Sequence, residues 1–245
     1  MQNSAQKNTS AQRPARRPRP EIPPEFKAEP IEKLDEAALI AILKEPGSGD
    51  PAVFRKAVAS KRLVVIGTKE AVPALAALLG DDHASDYARD ALEGIPDPAA
   101  GDALRAALPK LKGLVLIGVI NSLRRRKDAK AVEPLSKFLH DPDIAVAKAA
   151  ALAMGDIGGA TSARLLRDAL GRTRGAARAS VAQGVLLCAD GMMEQDRKTA
   201  MAMLDQLCRP DIPEDVRMPA MHLQIIAAAS LDRPRTVLTP ATDRK

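Results

Sequence analysis

At 245 residues and 46% hydrophobic content the chain can bury a core of one large or two small domains. Only 2% of residues are aromatic, with no Trp and one Tyr, so the core must be filled by Ala, Leu, Val and Ile, which favours closely stacked helices. The formal net charge is +6, half of it in the first thirty residues, where six cations face three carboxylates; the body keeps a charge ordinary for a soluble domain.

Residues 1–30 contain QRPARRPRPEIPPEF, a Pro/Arg-rich stretch too poor in apolar residues to offset the entropy of ordering. It is expected to be a disordered leader, with no apolar core of the kind a signal peptide needs. The longest apolar runs, 37–43 and 114–120, are too short to span a bilayer. A cytoplasmic protein is the expectation from these features. Cys188 and Cys208 make no disulfide framework, no Cys/His group has zinc-ligand spacing, and both cysteines fall at apolar helix positions.

From Ile31, apolar residues at Leu34, Ala38, Leu39, Ile42 and Leu43 have the spacing of an amphipathic helix. GSGDP (47–51) then predicts a helix start, with Asp50 as N-cap and Pro51 at the first helical position. A repeat follows. Aligning 71–82, 100–111, 131–142 and 162–173 gives one column of Leu75, Leu104, Leu135 and Leu166, and another of Leu79, Leu108, Leu139 and Leu170, at spacings of 29, 31 and 31 residues. The helices before them supply Ala59, Ala88, Val119 and Ala150, then Leu63, Leu92, Leu123 and Met154. Two helices per unit with a period near 30 predict an all-α fold, an α-solenoid of the armadillo or HEAT-like kind, in which each pair buries its apolar face against its neighbours.

Turn chemistry follows the same register. Asp82, Asp97 and Asp141 are expected as N-caps, Pro98 and Pro142 at the first helical positions, and Pro73 and Pro134 in the first turns of second helices. LVLIGVI (114–120) is β-branched and by propensity a strand, but it fills a first-helix slot, and the repeat takes precedence. In 141–171 a first helix is broken between Gly155 and Gly159 and a second runs from about Ala160 to Leu170. Beyond Arg172 the unit lengthens: a helix over 176–188, a turn at Ala189-Asp190-Gly191, and a helix over 194–207 with Leu204 and Cys208 in the core columns. A last first helix begins near Asp211, with a kink expected at Pro219. The whole reads as a leader (1–30), about five helix pairs with terminal half-repeats (31–230) and an irregular tail (231–245).

DPDIAVAKAAALAMGDIGG resembles the bacterial HEAT-like repeats of the phycobilisome-lyase (E-Z) type, and KRLVVIGTKEAVPALAALL, ALEGIPDPAAGDALRAAL and LIGVINSLRRRKDAKAVEPLSKFL are similar to versions in an uncharacterised subgroup of bacterial HEAT-repeat proteins. The resemblance spans residues 31 to about 230 and implies the fold; by analogy with such relatives it also allows an exported protein.

Catalysis is not expected. Di-iron HEAT-like hydroxylases need His-Glu dipeptides, whereas the histidines here precede Ala84, Asp141 and Leu223. No phosphate loop, no G-x-S-x-G and no Cys with a plausible His partner occurs, so no cofactor and no metal are expected. Binding is the stronger reading, on a concave face lined by second helices. Outward positions there include Arg105, Lys137, Arg164 and Arg167, which suit a protein partner with acidic and apolar elements. An alternative is nucleic acid or another anionic polymer on the leader and the ridge Arg124, Arg125, Arg126 and Lys127, although no aromatic platform for bases is present. A further alternative is a lyase-like accessory protein for a tetrapyrrole or redox partner. Six methionines between Met192 and Met221 are expected mainly as core filler, with Met218 and Met221 exposed if the last half-repeat is open.

Overall fold

In the computed structural model, residues 31–47 and 49–229 are described; the expected leader and C-terminal tail lie outside the described residues. The described residues form twelve α-helices with short 3-10 turns and no strand. After a 3-10 turn at Ile31–Lys33 the helices are α1 (Glu36–Leu43), α2 (Asp50–Ile66), α3 (Val72–Ala77), α4 (Ser85–Gly94), α5 (Pro98–Ala107) and α6 (Gly113–Arg125). They continue as α7 (Val132–Ser136), α8 (Ile144–Ile157), α9 (Gly159–Arg172), α10 (Gly175–Met192), α11 (Arg197–Leu207) and α12 (Glu214–Ala229).

First helices stack on first helices, in the order α2, α4, α6, α8, α10 and α12, and the second helices form the other layer. Five pairs, α2/α3 to α10/α11, lie between half-repeats α1 and α12, so the chain is an all-α solenoid. The cause is the two-layer burial pattern. All eight leucines of the two second-helix columns are at most 3% exposed, and Ala59, Ala88, Val119, Ala150, Leu63, Leu92, Leu123 and Met154 are fully buried. The same columns extend to Val181 and Val185 of α10 and to Leu204 of α11, all fully buried. No large ring is needed, because alanines and glycines let the backbones close up.

The segment 114–120 is helical, as the repeat requires. Leu116, Val119, Ile120 and Leu123 are buried at i, i+3, i+4 and i+7, a stripe only a helix can bury on one side, and that burial outweighs the β-propensity of the residues.

Several boundaries differ from expectation, each for a local reason. Asp82 does not cap α4, whose N-cap is Ala84 with no side-chain cap; Asp81 instead closes the turn before it, its Oδ1 accepting the N–H groups of His83 and Ala84, both at 2.9 Å, which holds the carboxyl below the usual carboxylate range. Asp143, not Asp141, caps α8 through the Ala145 N–H; Asp141 accepts the Asp143 N–H, so Pro142 sits in the turn before the cap. Asp50 is the first residue of α2 and Gly49 its N-cap. Asp97 caps α5 with Pro98 following, as expected. The break after α8 narrows to Gly158, with φ of 72°, and Gly155 is inside the helix. Ala189-Asp190-Gly191 is no turn: α10 continues to Met192, because Cys188, Ala189 and Met192 are buried on the helical phase of Val181 and Val185. Pro219 lies inside α12.

Candidate partner-binding faces

The basic positions of the second-helix layer divide into those engaged within the protein and those that face outward. Arg105 of α5 belongs to the first group. Its guanidinium pairs with Asp102 one turn back and with Asp128 in the loop before α7, and its side chain is only 15% exposed. Gly101 leaves the space, since a Cβ there would stand 2.9 Å from the Asp128 carboxylate. Arg105 therefore ties one repeat to the next and is not the free outward cation expected from its register.

Lys137 is exposed at the end of α7. Arg164 and Arg167 of α9 line a single cleft of about 330 Å³ between α9 and α11, with Asp168, Asp196, Thr199 and Gln206. Arg164 is largely exposed and only loosely paired, 3.8 Å from Asp168. Arg167 is half-buried, and its Nε is shut from solvent with no acceptor among the described residues. Asp196 is already engaged as the N-cap of α11: the Thr199 hydroxyl and N–H hold it below the usual carboxylate range. The structure thus brings Arg164 and Arg167 together, one turn apart, and leaves Lys137 on the neighbouring unit and Arg105 in a separate network.

The ridge Arg124 to Lys127 has a different role from the one its charge suggests. Arg124 Nε lies 3.1 Å from Asp156, and Lys127 Nζ 2.9 Å from the same carboxylate and 2.5 Å from its backbone carbonyl. Arg125 pairs with Glu93 at 3.0 Å, which raises its already high pKa. Arg126 turns inward and donates to the carbonyls of Leu92, Glu93, Ile95 and Asp97 at 2.6–3.3 Å. Each cation therefore fastens the third unit to a neighbour, and a stretch read as an anion-binding ridge is a row of inter-repeat ties. No signal in the run itself separates the inward Arg126 from its neighbours; the clue lies 30 residues earlier, in the open carbonyls that end α4.

Asp156 is held below the usual carboxylate range first by Lys127 and then by Arg124. A group with a depressed folded pKa stabilises above its unfolded value, and that contribution disappears as pH falls through the folded one. Asp156→Asn is expected to cost about 1 kcal/mol at pH 7 and nothing once the pH is well below 3.8. Urea denaturation at the two pH values checks it.

The last half-repeat is open, with Met218 and Met221 exposed as expected, and beside them lies a groove that the register does not reveal. On the first-helix layer α8, α10 and α12 enclose an apolar groove of about 660 Å³, and α12 exposes Met218, Met221, Ile225 and Ile226. Met192 and Met203 are buried, so the methionine cluster divides between core and surface. The doublets Leu186-Leu187 and Ile225-Ile226, too wide for one core stripe, were the available signal.

Cys188 is buried, which pushes its thiol up to about 11, and Cys208 is raised by its partial burial; both are free. No group of His, Cys, Asp and Glu among the described residues could hold a metal ion, and no described helix is long and apolar enough to cross a membrane. Comparison with curated proteins gives no match. Residues 98–186, from the start of α5 into α10, match the family model described as HEAT repeats. The pairs on either side repeat the same stacking and the same buried columns, so the matched segment is the middle of one continuous all-α solenoid.

Proposed function

We propose that the protein is a non-catalytic scaffold that binds a protein partner on its second-helix layer, through the cleft between α9 and α11. The observation that supports this reading is the pairing of Arg164 and Arg167 on one wall of that cleft, where neither is taken up by a tight ion pair, in contrast to Arg105 and the Arg124 to Lys127 run. Two guanidinium groups at helical spacing present forked donors that match a carboxylate, so the favoured partner segment carries Asp or Glu beside small apolar residues. Lys137 extends the positive edge by one unit. Such charge matching selects and orients a partner more than it adds affinity.

Selection from a displayed peptide library tests the reading. The natural protein is expected to enrich acidic peptides, and Arg164→Glu with Arg167→Glu to reduce their binding about tenfold or more. Enrichment that is unchanged by the double reversal, or that lacks carboxylates, removes this cleft as the partner site.

A further inference from the structure

We infer that the groove between α8, α10 and α12 is a second docking surface, on the opposite layer, for a cationic amphipathic helix of a protein partner. Two independent features lead there. The first is that α12 carries apolar residues well beyond the face it buries, with Arg217, His222 and Gln224 its polar positions after the acidic first turn. Val216, Ala220 and Ala227 face the core, Leu223 and Ile226 face the groove, and Met218, Met221 and Ile225 are 43–67% exposed. Exposed apolar side chains clustered in this way mark a contact surface.

The second feature is the charge around the groove. Its floor is Leu152, Leu186 and Leu187 with Leu223 and Ile226, and the charged side chains that line it are the carboxylates Asp190 and Asp215. Both are exposed; Glu214, also exposed, adjoins Asp215; and no Lys or Arg lines the groove. Lys148 of α8, one turn before Leu152, is outside the lining. Arg178, near the start of α10, pairs with Asp211 just before α12, so the two helices begin at the same end, and Asp190, near the end of α10, and Asp215, at the start of α12, mark opposite ends of the floor. From Asp215 to Ile226 the wall is about 16 Å long at the helical rise, the length of three turns. A helix of that length with Leu-like residues at i, i+3, i+4 and i+7 fills the floor, and basic residues at its two ends meet the carboxylates.

This extends the protein-binding reading to a separate face, and the two are tested by different substitutions. The probe is a fluorescein-labelled peptide of about four turns with Leu at those positions and Lys elsewhere, compared with its Glu counterpart by fluorescence anisotropy on the full chain. The Lys peptide is expected to bind saturably and the Glu peptide not. Ile226→Glu, at a half-exposed position, is expected to weaken the Lys peptide about tenfold, and Asp190→Lys with Asp215→Lys to invert the preference between the peptides. Arg164→Glu with Arg167→Glu is expected to leave the Lys peptide unaffected, while circular dichroism shows every variant folded. Equal binding of the two peptides, or no effect of Ile226→Glu, overturns the inference. So does Lys-peptide binding that emerges only when residues 1–30 or 230–245 are deleted, which makes the chain's own terminus the occupant. A concentration-dependent dimer that excludes the peptide and is dissolved by Ile226→Glu overturns it in favour of a second copy.

Discussion

Gly184→Ala is expected to be among the most disruptive single-methyl changes in the protein. Gly184 of α10 faces α8, and a Cβ at this position would lie 2.4 Å from the carbonyl oxygen of Ala151 and 3.1 Å from its Cβ. The contact is reciprocal: a Cβ on Gly155 would lie 2.4 Å from the Gly184 carbonyl oxygen. Neither obstacle is a flexible side chain, so the methyl can be accommodated only by moving the two helices apart. That separation loosens Val146, Ala150, Val181 and Val185, all buried alongside, and each loses dispersion contacts that fall steeply with distance. The expected cost is about 3 kcal/mol, at the upper end for overpacking, with a Tm lower by on the order of 10 °C. Because each unit of a solenoid is held mainly by its neighbours, the α10 to α12 end should also uncouple and broaden the transition. Gly191→Ala is the control. It lies seven residues further along the same helix, nothing stands within 4 Å of its Cβ, and removing a glycine from a helix should stabilise by about 0.5 kcal/mol. Urea denaturation followed by circular dichroism separates the two, and equal effects would mean that α8 and α10 do not cross backbone to backbone.

The contrast between these glycines also shows what a linear sequence conveys. The leucine columns were legible because a repeat supplies its own alignment: a position apolar in four successive units reports the core without knowledge of its partner. The same logic placed 114–120 in a helix against its propensity. Caps and the turns before them were legible only to within two residues, since Asp81-Asp82 and Asp141-Pro142-Asp143 each offer more than one carboxylate and the choice depends on where the backbone N–H groups point. Gly155 resembled a helix breaker and Gly191 a turn, yet both are helical, because a glycine that permits close approach and one that ends a helix look alike in one dimension. For the candidate site the structure has Lys137 and Arg164 exposed and Arg167 half-buried at the cleft, and the register could not show that Arg105 meets Asp128, 23 residues away, in a loop whose path depends on the stacking. The groove was missed for a related reason. It exists only between three first helices of successive units, and no single unit contains it.

Arg126→Ala is the second substitution expected to have a large effect, and it distinguishes an inter-repeat tie from a binding cation. Helix α4 ends at Gly94, and its last carbonyls, with no intrahelical partner, would stand bare where the chain turns towards α5. Arg126 Nη1 donates to the carbonyls of Leu92, Glu93 and Ile95 at 2.7, 3.0 and 2.6 Å, and Nη2 to that of Asp97 at 3.3 Å. One side chain thus closes the end of a helix in the preceding repeat and fixes the loop that leads to its Asp97 cap. Its removal takes the side-chain donor from the carbonyls of Leu92, Glu93 and Ile95, while that of Asp97 keeps the Ala100 N–H, at an expected cost of about 2–3 kcal/mol. Arg126→Lys is expected to recover only part, because an ammonium cannot spread donors along four carbonyls as a planar guanidinium does. Arg125→Ala, whose side chain is 67% exposed and holds only Glu93, is expected to cost about 0.5 kcal/mol. If the run acted instead as a surface for anionic polymers, the two alanine variants would be alike in stability and would differ from the natural protein in salt-dependent polymer binding. Thermal melts of the three variants beside the natural chain, with DNA titrations at two salt concentrations, decide between a run that holds the repeats in register and one that holds a ligand.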